Sequence, residues 1–302
     1  MNTVASTGRI ALLTLAVLVA VSATVACTSA APEPNTSAPI VVAAGDIADC
    51  YSAGDEATAR LLGNIEGTVL TLSDNAYEDG TPQEFANCYA PSWGRYKDRA
   101  KPSPGNHEYH SRGAEGYFDY FGEAAGDPDK GYYSYDLGAW HIVALNSNRD
   151  FVGGCYTGDP QVRWLKADLA DNRSRCTLAY FHHPLFGSGE YGPGVTEVKP
   201  LWEILYAAGG DVVLNGHDHN YQRFALQNPD GEASAERGIR EFVVGTGGRS
   251  HYPIVAPVAN SEAHNDDAYG VLKLTLRPQG YDWQFVPGEG ETFTDTGSAQ
   301  CH

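Results

Sequence analysis

The sequence predicts an α/β protein, a two-sheet β-sandwich flanked by helices. Three observations predict it. Short apolar runs end abruptly in Gly, Asp, Asn or His: 40–44 before Gly45-Asp46, 68–72 before Ser73-Asp74, 176–181 before His182-His183, and 211–214 before Asn215-Gly216-His217. Runs this short, with no polar face, suit strands buried on both sides. Amphipathic stretches lie between them, and the last third of the chain alternates apolar and polar residues with Pro and Gly between, as antiparallel strands do.

Each element has its own justification. Residues 160–172 open with Asp159-Pro160 and place Val162, Leu165 and Leu169 on one helical face; 197–208 do the same with Leu201, Trp202, Leu205 and Tyr206. Residues 55–62 and 81–93 are weaker helical candidates. Residues 132–145 read as a hairpin with Asp136-Leu137-Gly138 near its turn, and 239–244, 269–276 and 281–286 as antiparallel strands. Open α/β sheets place ligands just past the C-terminal ends of their strands. The four strand ends rich in Asp and His are therefore expected to converge.

The 302 residues are 42% hydrophobic, and 38 acidic against 20 basic residues give a formal charge of −18. Once the N-terminus is set aside, about 260 residues remain, a size suited to one large domain, 40–302. The acidic balance argues against a nucleic-acid partner, which needs clustered Lys and Arg. It also repels anionic substrates, unless a local cation such as a metal pair reverses the sign at the site.

Residues 1–26 read as a secretory or lipoprotein signal peptide. Arg9 is the first charge, 10–21 are apolar apart from Thr14, and the stretch is too short for a membrane span. Ala23-Thr24-Val25-Ala26-Cys27 resembles a bacterial lipoprotein processing site, with Thr24 in place of the usual Leu. Cys27 is then a lipid anchor, and the protein is an exported cell-surface lipoprotein; ordinary cleavage and free secretion is the alternative. Residues 27–39, rich in Ala, Pro, Ser and Thr, form a tether. Export permits disulfides. Cys50 and Cys88 each follow a polar loop and Cys155 and Cys176 bracket one helix, so Cys50–Cys88 and Cys155–Cys176 bridges are expected, with Cys301 unpaired.

Five clusters carry chemistry: Gly45-Asp46, Asp74-Asn75-Ala76-Tyr77, Gly105-Asn106-His107-Glu108, His182-His183-Pro184 and Gly216-His217-Asp218-His219. Singly, each has an ordinary explanation as a turn, a cap or core packing. Together and in this order, they point to one metal site.

The order Asp, Asp-x-x-Tyr, Gly-Asn-His-Glu, His-x-Pro, Gly-His-x-His resembles that of the calcineurin-like metallophosphoesterases, from Ile40 to about Tyr221, and Gly245-Thr246-Gly247-Gly248 is similar to a late loop of that family. Two details resemble its purple acid phosphatase branch. Ala48 stands where most of the superfamily has a metal-binding His, and Tyr77 stands where the purple enzymes supply a Tyr. The resemblance implies a four-layer αββα metallophosphoesterase fold. It also implies two metal ions: Asp46, Tyr77 and His219 holding one, Asn106, His182 and His217 the other, and Asp74 bridging them. Phenolate and carboxylates suit Fe(III), and the imidazole- and amide-rich set suits Fe(II), Zn(II) or Mn(II). His183 is a supporting or purely structural residue.

His107 is the implied catalytic residue, a general acid, with Glu108 bonded to its imidazole, fixing its loop, or simply a surface acid. Ser73 departs from the family, which has Gly there. It is expected to be harmless, with the Gly relieving crowding and not supplying a positive φ. The implied activity is hydrolysis of small-molecule phosphate monoesters. The alternatives are a phosphodiesterase on the same core and a non-catalytic cell-surface binding protein. The loops 109–121 and 187–194 are expected to decide between ester classes.

Overall fold

The computed structural model describes residues 1–5, 8, 38–190 and 192–302. Most of the leader and tether, with Cys27, lie outside the described residues. From Ala38 to His302 the chain forms one compact unit, and no helix among the described residues is long and apolar enough to cross a membrane.

The first half supplies three strands of one sheet and starts the second. It runs β1 (Ile40–Ala44), α1 (Gly54–Asn64), β2 (Thr68–Thr71), α2 (Pro82–Glu84), β3 (Ala100–Pro102), α3 (Glu115–Phe121), β4 (Tyr133–Leu137), β5 (Trp140–Ala144), α4 (Pro160–Asp171) and β6 (Cys176–Tyr180). Then come α5 (Lys199–Ala207), β7 (Val212–Asn215), β8 (Tyr221–Phe224), β9 (Arg240–Val244), β10 (Ser261–Asn265), β11 (Gly270–Arg277), β12 (Gly280–Pro287) and β13 (Thr296–Gln300). Six strands form one sheet in the order β13-β12-β11-β1-β2-β3, and seven form the other, β10-β8-β9-β7-β6-β5-β4. Both are mixed. β1, β2 and β3 are parallel, as are β5, β6, β7 and β9, with antiparallel strands outside them.

Alternation along β5 shows how the layers stack. Ile142 and Ala144 enter the core between the sheets, beside Val41, Leu70 and Leu272 of the six-stranded sheet. Val143 and Leu145 point the other way, into a second cluster with Val162 and Leu165 of α4 and Leu201, Trp202 and Leu205 of α5. Such a strand is buried on both faces, which is why its sequence reads as a continuous apolar run.

The expected helices at 160–172 and 197–208 are α4 and α5. The weaker 81–93 candidate becomes α2, capped reciprocally by Thr81 and Glu84, followed by a wider turn over Phe85–Tyr89. One strand differs in sense. β9 is antiparallel to β8 but parallel to β7, and all five of its residues are buried. The expected antiparallel pairing holds only toward β8; on its other side β9 continues the parallel run of β5, β6 and β7.

The disulfides correct the expectation. Cys50–Cys88 forms, but Cys176 pairs with Cys301, and Cys155 is a buried free thiol. Cys176 sits in the cluster between the sheets and Cys155 in the one beneath α4 and α5, so the seven-stranded sheet separates them. The Cys176–Cys301 bridge instead ties the start of β6 to the chain end beyond β13, joining the two sheets.

Candidate metal centre

All five clusters lie at or just past the C-terminal ends of strands: Asp46 after β1, Asp74 and Tyr77 after β2, Asn106 and His107 after β3, His182 after β6, His217 and His219 after β7. Their side chains meet. The Tyr77 hydroxyl donates to Asp46 Oδ1 at 2.9 Å and approaches Asp74 Oδ2 and His219 Nε2, each at 3.2 Å. On the other side, His182 Nε2 lies 2.8 Å from Asn106 Oδ1, 3.1 Å from His217 Nδ1 and 3.2 Å from Asp74 Oδ2. Two donor sets thus share one atom, Asp74 Oδ2.

The backbone is bent to achieve this. Asp46 (φ +58°), Asp74 (+42°) and His217 (+74°) occupy the left-handed region, which costs of the order of 1 kcal/mol or more per non-glycine residue. Ser73 joins them at φ +81°, so the expectation that this position only relieves crowding is wrong. The position does call for the conformation glycine adopts freely. Ser73 offsets part of that cost through its hydroxyl, which is 2.7 Å from Ser103 Oγ on the neighbouring loop. Gly105 is needed for close approach, because a Cβ there would run into Asp74 Oδ1.

Glu108 is fully buried, contrary to a surface role, and it does not touch the His107 imidazole. Its carboxylate accepts backbone N–H bonds from Asn75 and Gly105 at 2.7 Å and from Ala76 at 3.3 Å, lacing the Asp74 loop to the Asn106 loop. Burial, then the Asp74 charge, push its pKa up to about 7. His107 Nδ1 lies 2.6 Å from the Glu78 carbonyl oxygen, which assigns the Nδ1 proton and leaves Nε2 facing Asp74 Oδ2 at 3.9 Å. His219 Nδ1 is likewise 2.8 Å from the Ser250 carbonyl, turning Nε2 inward.

Electrostatics fit a cation here. Asp46 and Asp74 are buried, and their ion-pairing partners among the described residues are histidines. Burial opposes ionisation of Asp74, but His182 outweighs it and holds the carboxyl below the usual carboxylate range. Burial, then the Asp46 and Asp74 charges, push the Tyr77 phenol well above its ordinary pKa. Burial lowers His182, yet Asp74 outweighs it and raises the imidazole to about 9, while burial and then His182 push His217 down to about 4. A metal ion among these oxygens and nitrogens favours phenolate, carboxylate and neutral imidazole together. The donor set is therefore suited to metal: His182, His183 and His217 offer ring nitrogens within 4.8 Å of one another, as do Asp46, Asp74 and His182 with their ligand atoms.

Sequence reasoning missed three neighbours. Arg249 covers the Tyr77 ring at 4.7 Å, Tyr252 stacks on His219 at 3.9 Å, and the Ser147 hydroxyl lies 2.8 Å from His183 Nδ1. The glycine run 245–248 was a signal for Arg249, which follows it directly. A cavity of about 490 Å³ between α4 and α5 shares no residue with these donors.

Residues 26–221 match the family described as calcineurin-like phosphoesterase, and the match covers more than half the chain. The chain belongs to that family. Its relatives lie in the purple acid phosphatase-like branch. It is 25% identical over 219 residues to purple acid phosphatase 15 of Arabidopsis thaliana, covering 61% of this chain and 40% of that protein. It is 30% identical over 166 residues to the probable purple acid phosphatase 20 of the same plant, covering 47% and 38%. The chain thus spans well under two thirds of the length of these relatives. The structure of purple acid phosphatase PPD1 from yellow lupin seeds superposes with a TM-score of 0.68 at 19% identity, covering 88% of this chain and 55% of that one. The expected αββα arrangement of two mixed sheets with flanking helices is that of this structural neighbour.

Proposed function

We propose that the chain is a metal-dependent phosphomonoesterase with two metal ions. One observation carries the reading: Asp74 Oδ2 lies within 3.2 Å of both Tyr77 Oη and His182 Nε2, so one carboxylate oxygen serves two donor sets. Asp46, Tyr77 and His219 would hold one ion, Asn106, His182 and His217 the other, with Asp74 between. The phenol and carboxylates of the first set suit Fe(III), and the second suits Fe(II), Zn(II) or Mn(II). When bound, such a pair lowers the pKa of water and neutralises the phosphoryl charge for in-line displacement.

The chain's own residues supply the rest. His107 projects its Nε2 beside the shared carboxylate, where the doubly protonated imidazole would give its Nε2 proton to the leaving oxygen and keep the Nδ1 proton on the Glu78 carbonyl. The Glu78 carbonyl holds that ring in place, and Glu108 keeps the Asp74 and Asn106 loops in register. The disulfides suit an oxidising compartment, which supports export. Anchoring through lipidated Cys27 is part of the proposal, and release of Cys27→Ser from membranes tests it.

The deciding experiment is metal analysis together with hydrolysis of an aryl phosphate monoester and diester. Two metals and faster monoester hydrolysis support the reading. Faster diester hydrolysis replaces it with a phosphodiesterase, and two bound metals without turnover replace it with a binding protein.

A further inference from the structure

Beside the donor sets opens a cavity of about 270 Å³, lined by Asn106 and His183 on the site's side and by Arg149, Phe151, Val195 and Glu197 beyond. It shares Asn106 with the second donor set, so a group in it adjoins any ester held there. At this size it suits a small leaving group, not a macromolecular surface.

Its chemistry is unusual for the mouth of an anion site. Phe151 is 57% exposed, one of few large apolar side chains left in water among the described residues. Its ring stacks on Tyr109 at 4.4 Å with an interplanar angle of 16°. Tyr109 is itself anchored, its hydroxyl accepting from Asn146 Nδ2 at 2.7 Å, so one face of Phe151 is backed by a fixed ring while the side chain lines the cavity largely exposed. Arg149 and Glu197, 3.6 Å apart, form a polar rim, with Arg149 also donating to the Tyr156 hydroxyl at 2.8 Å.

We infer that this cavity receives the leaving group of the ester and selects one bearing a planar ring, which stacks against Phe151. The inference rests on the phosphomonoesterase reading and names its substrate class. An aromatic face gains from a second ring beyond simple burial, and an aliphatic alcohol of similar reach lacks that gain.

Benzyl phosphate and cyclohexylmethyl phosphate test it, since both release an alkyl oxygen on a group of similar reach and differ in whether the ring is planar and aromatic. In metal-replete wild-type enzyme, kcat/KM for the benzyl ester should exceed that for the cyclohexylmethyl ester about tenfold. Phe151→Ala should collapse that ratio, chiefly through KM for the benzyl ester, and Phe151→Trp should retain it. A ratio unchanged by Phe151→Ala, or lost equally in Phe151→Trp, overturns the cavity assignment and leaves the phosphatase reading standing. Inertness toward both esters, with metals bound, overturns the phosphatase reading and this inference with it.

Discussion

Arg249 lies over the Tyr77 ring, its guanidinium carbon 4.7 Å from the ring centroid, and is fixed there by Asp49 and Glu78 at 2.6 and 2.7 Å. This contact places a fixed positive charge on the face of the phenol proposed as a ligand. A phenolate on Fe(III) gives a visible charge-transfer band, so iron-loaded protein should be pink to purple, and Tyr77→Phe should bleach it. The Arg249 charge stabilises phenolate electrons and raises the transition energy, so Arg249→Gln should shift the band to the red. Absorption spectra of iron-loaded variants decide both points; a band absent in wild type makes Tyr77 a packing residue.

His107→Ala should keep both metals and lose activity unevenly. General-acid help is worth about 10² to 10⁴ in rate and matters most for poor leaving groups. Loss should be large on alkyl phosphates and much smaller on nitrophenyl phosphate. Equal losses would make His107 an electrostatic or positioning group, and loss of a metal would make it a ligand support.

Glu108→Ala should destabilise the whole unit by about 3 kcal/mol, because three backbone N–H groups lose their acceptor in a buried place. Thermal unfolding would show this as a Tm lower by roughly 6–12 °C. A change within error would mean that water takes over the three bonds.

His141 should give stability a pH dependence. Its Nδ1 lies 2.9 Å from Asp136 Oδ1 and its Nε2 2.8 Å from Asp168 Oδ2, joining the β4–β5 hairpin to α4. Burial lowers its pKa, but the bonds to Asp168 and Asp136 outweigh this and raise it above 6.5. A raised pKa means the contribution is complete below about pH 6.5 and fades as pH rises through the folded-state value. His141→Gln should therefore cost about 1–3 kcal/mol in mild acid and progressively less in alkali. Unfolding measured at both ends of that range tests it; a constant difference would leave only packing.

The Cys176–Cys301 bridge closes a separation of 125 residues, against 38 for Cys50–Cys88. In the chain-entropy model the longer loop is worth about 5 kcal/mol. Replacing both Cys176 and Cys301 by Ser should thus destabilise more than replacing Cys50 and Cys88. Non-reducing peptide mapping should leave Cys155 as the free thiol; a Cys155–Cys176 peptide would contradict the structure.

The sequence by itself determined the buried central strands, the main helices and the candidate ligands, but not the short or edge strands β3, β8, β10 and β13. Strands such as β1 and β6 bury both faces, so their apolar runs are legible, and each ends in residues whose polarity has no packing reason to be there. The family resemblance carried by their order then implied a candidate ligand set, and the structure brings Asp46, Asp74, Tyr77, Asn106, His182, His217 and His219 together. What the tertiary structure alone decided depends on contacts between distant segments. The Cys176–Cys301 pairing follows from which sheet face each cysteine lies on. The positive φ of Ser73 follows from the loop's fit against Ser103, and the burial of Glu108 from two loops closing over it. Phe151 meets Tyr109 only because β3 and β5 deliver their loops to the same edge of the site. None of these is a local property: each is set by the close packing of elements that the chain order keeps far apart.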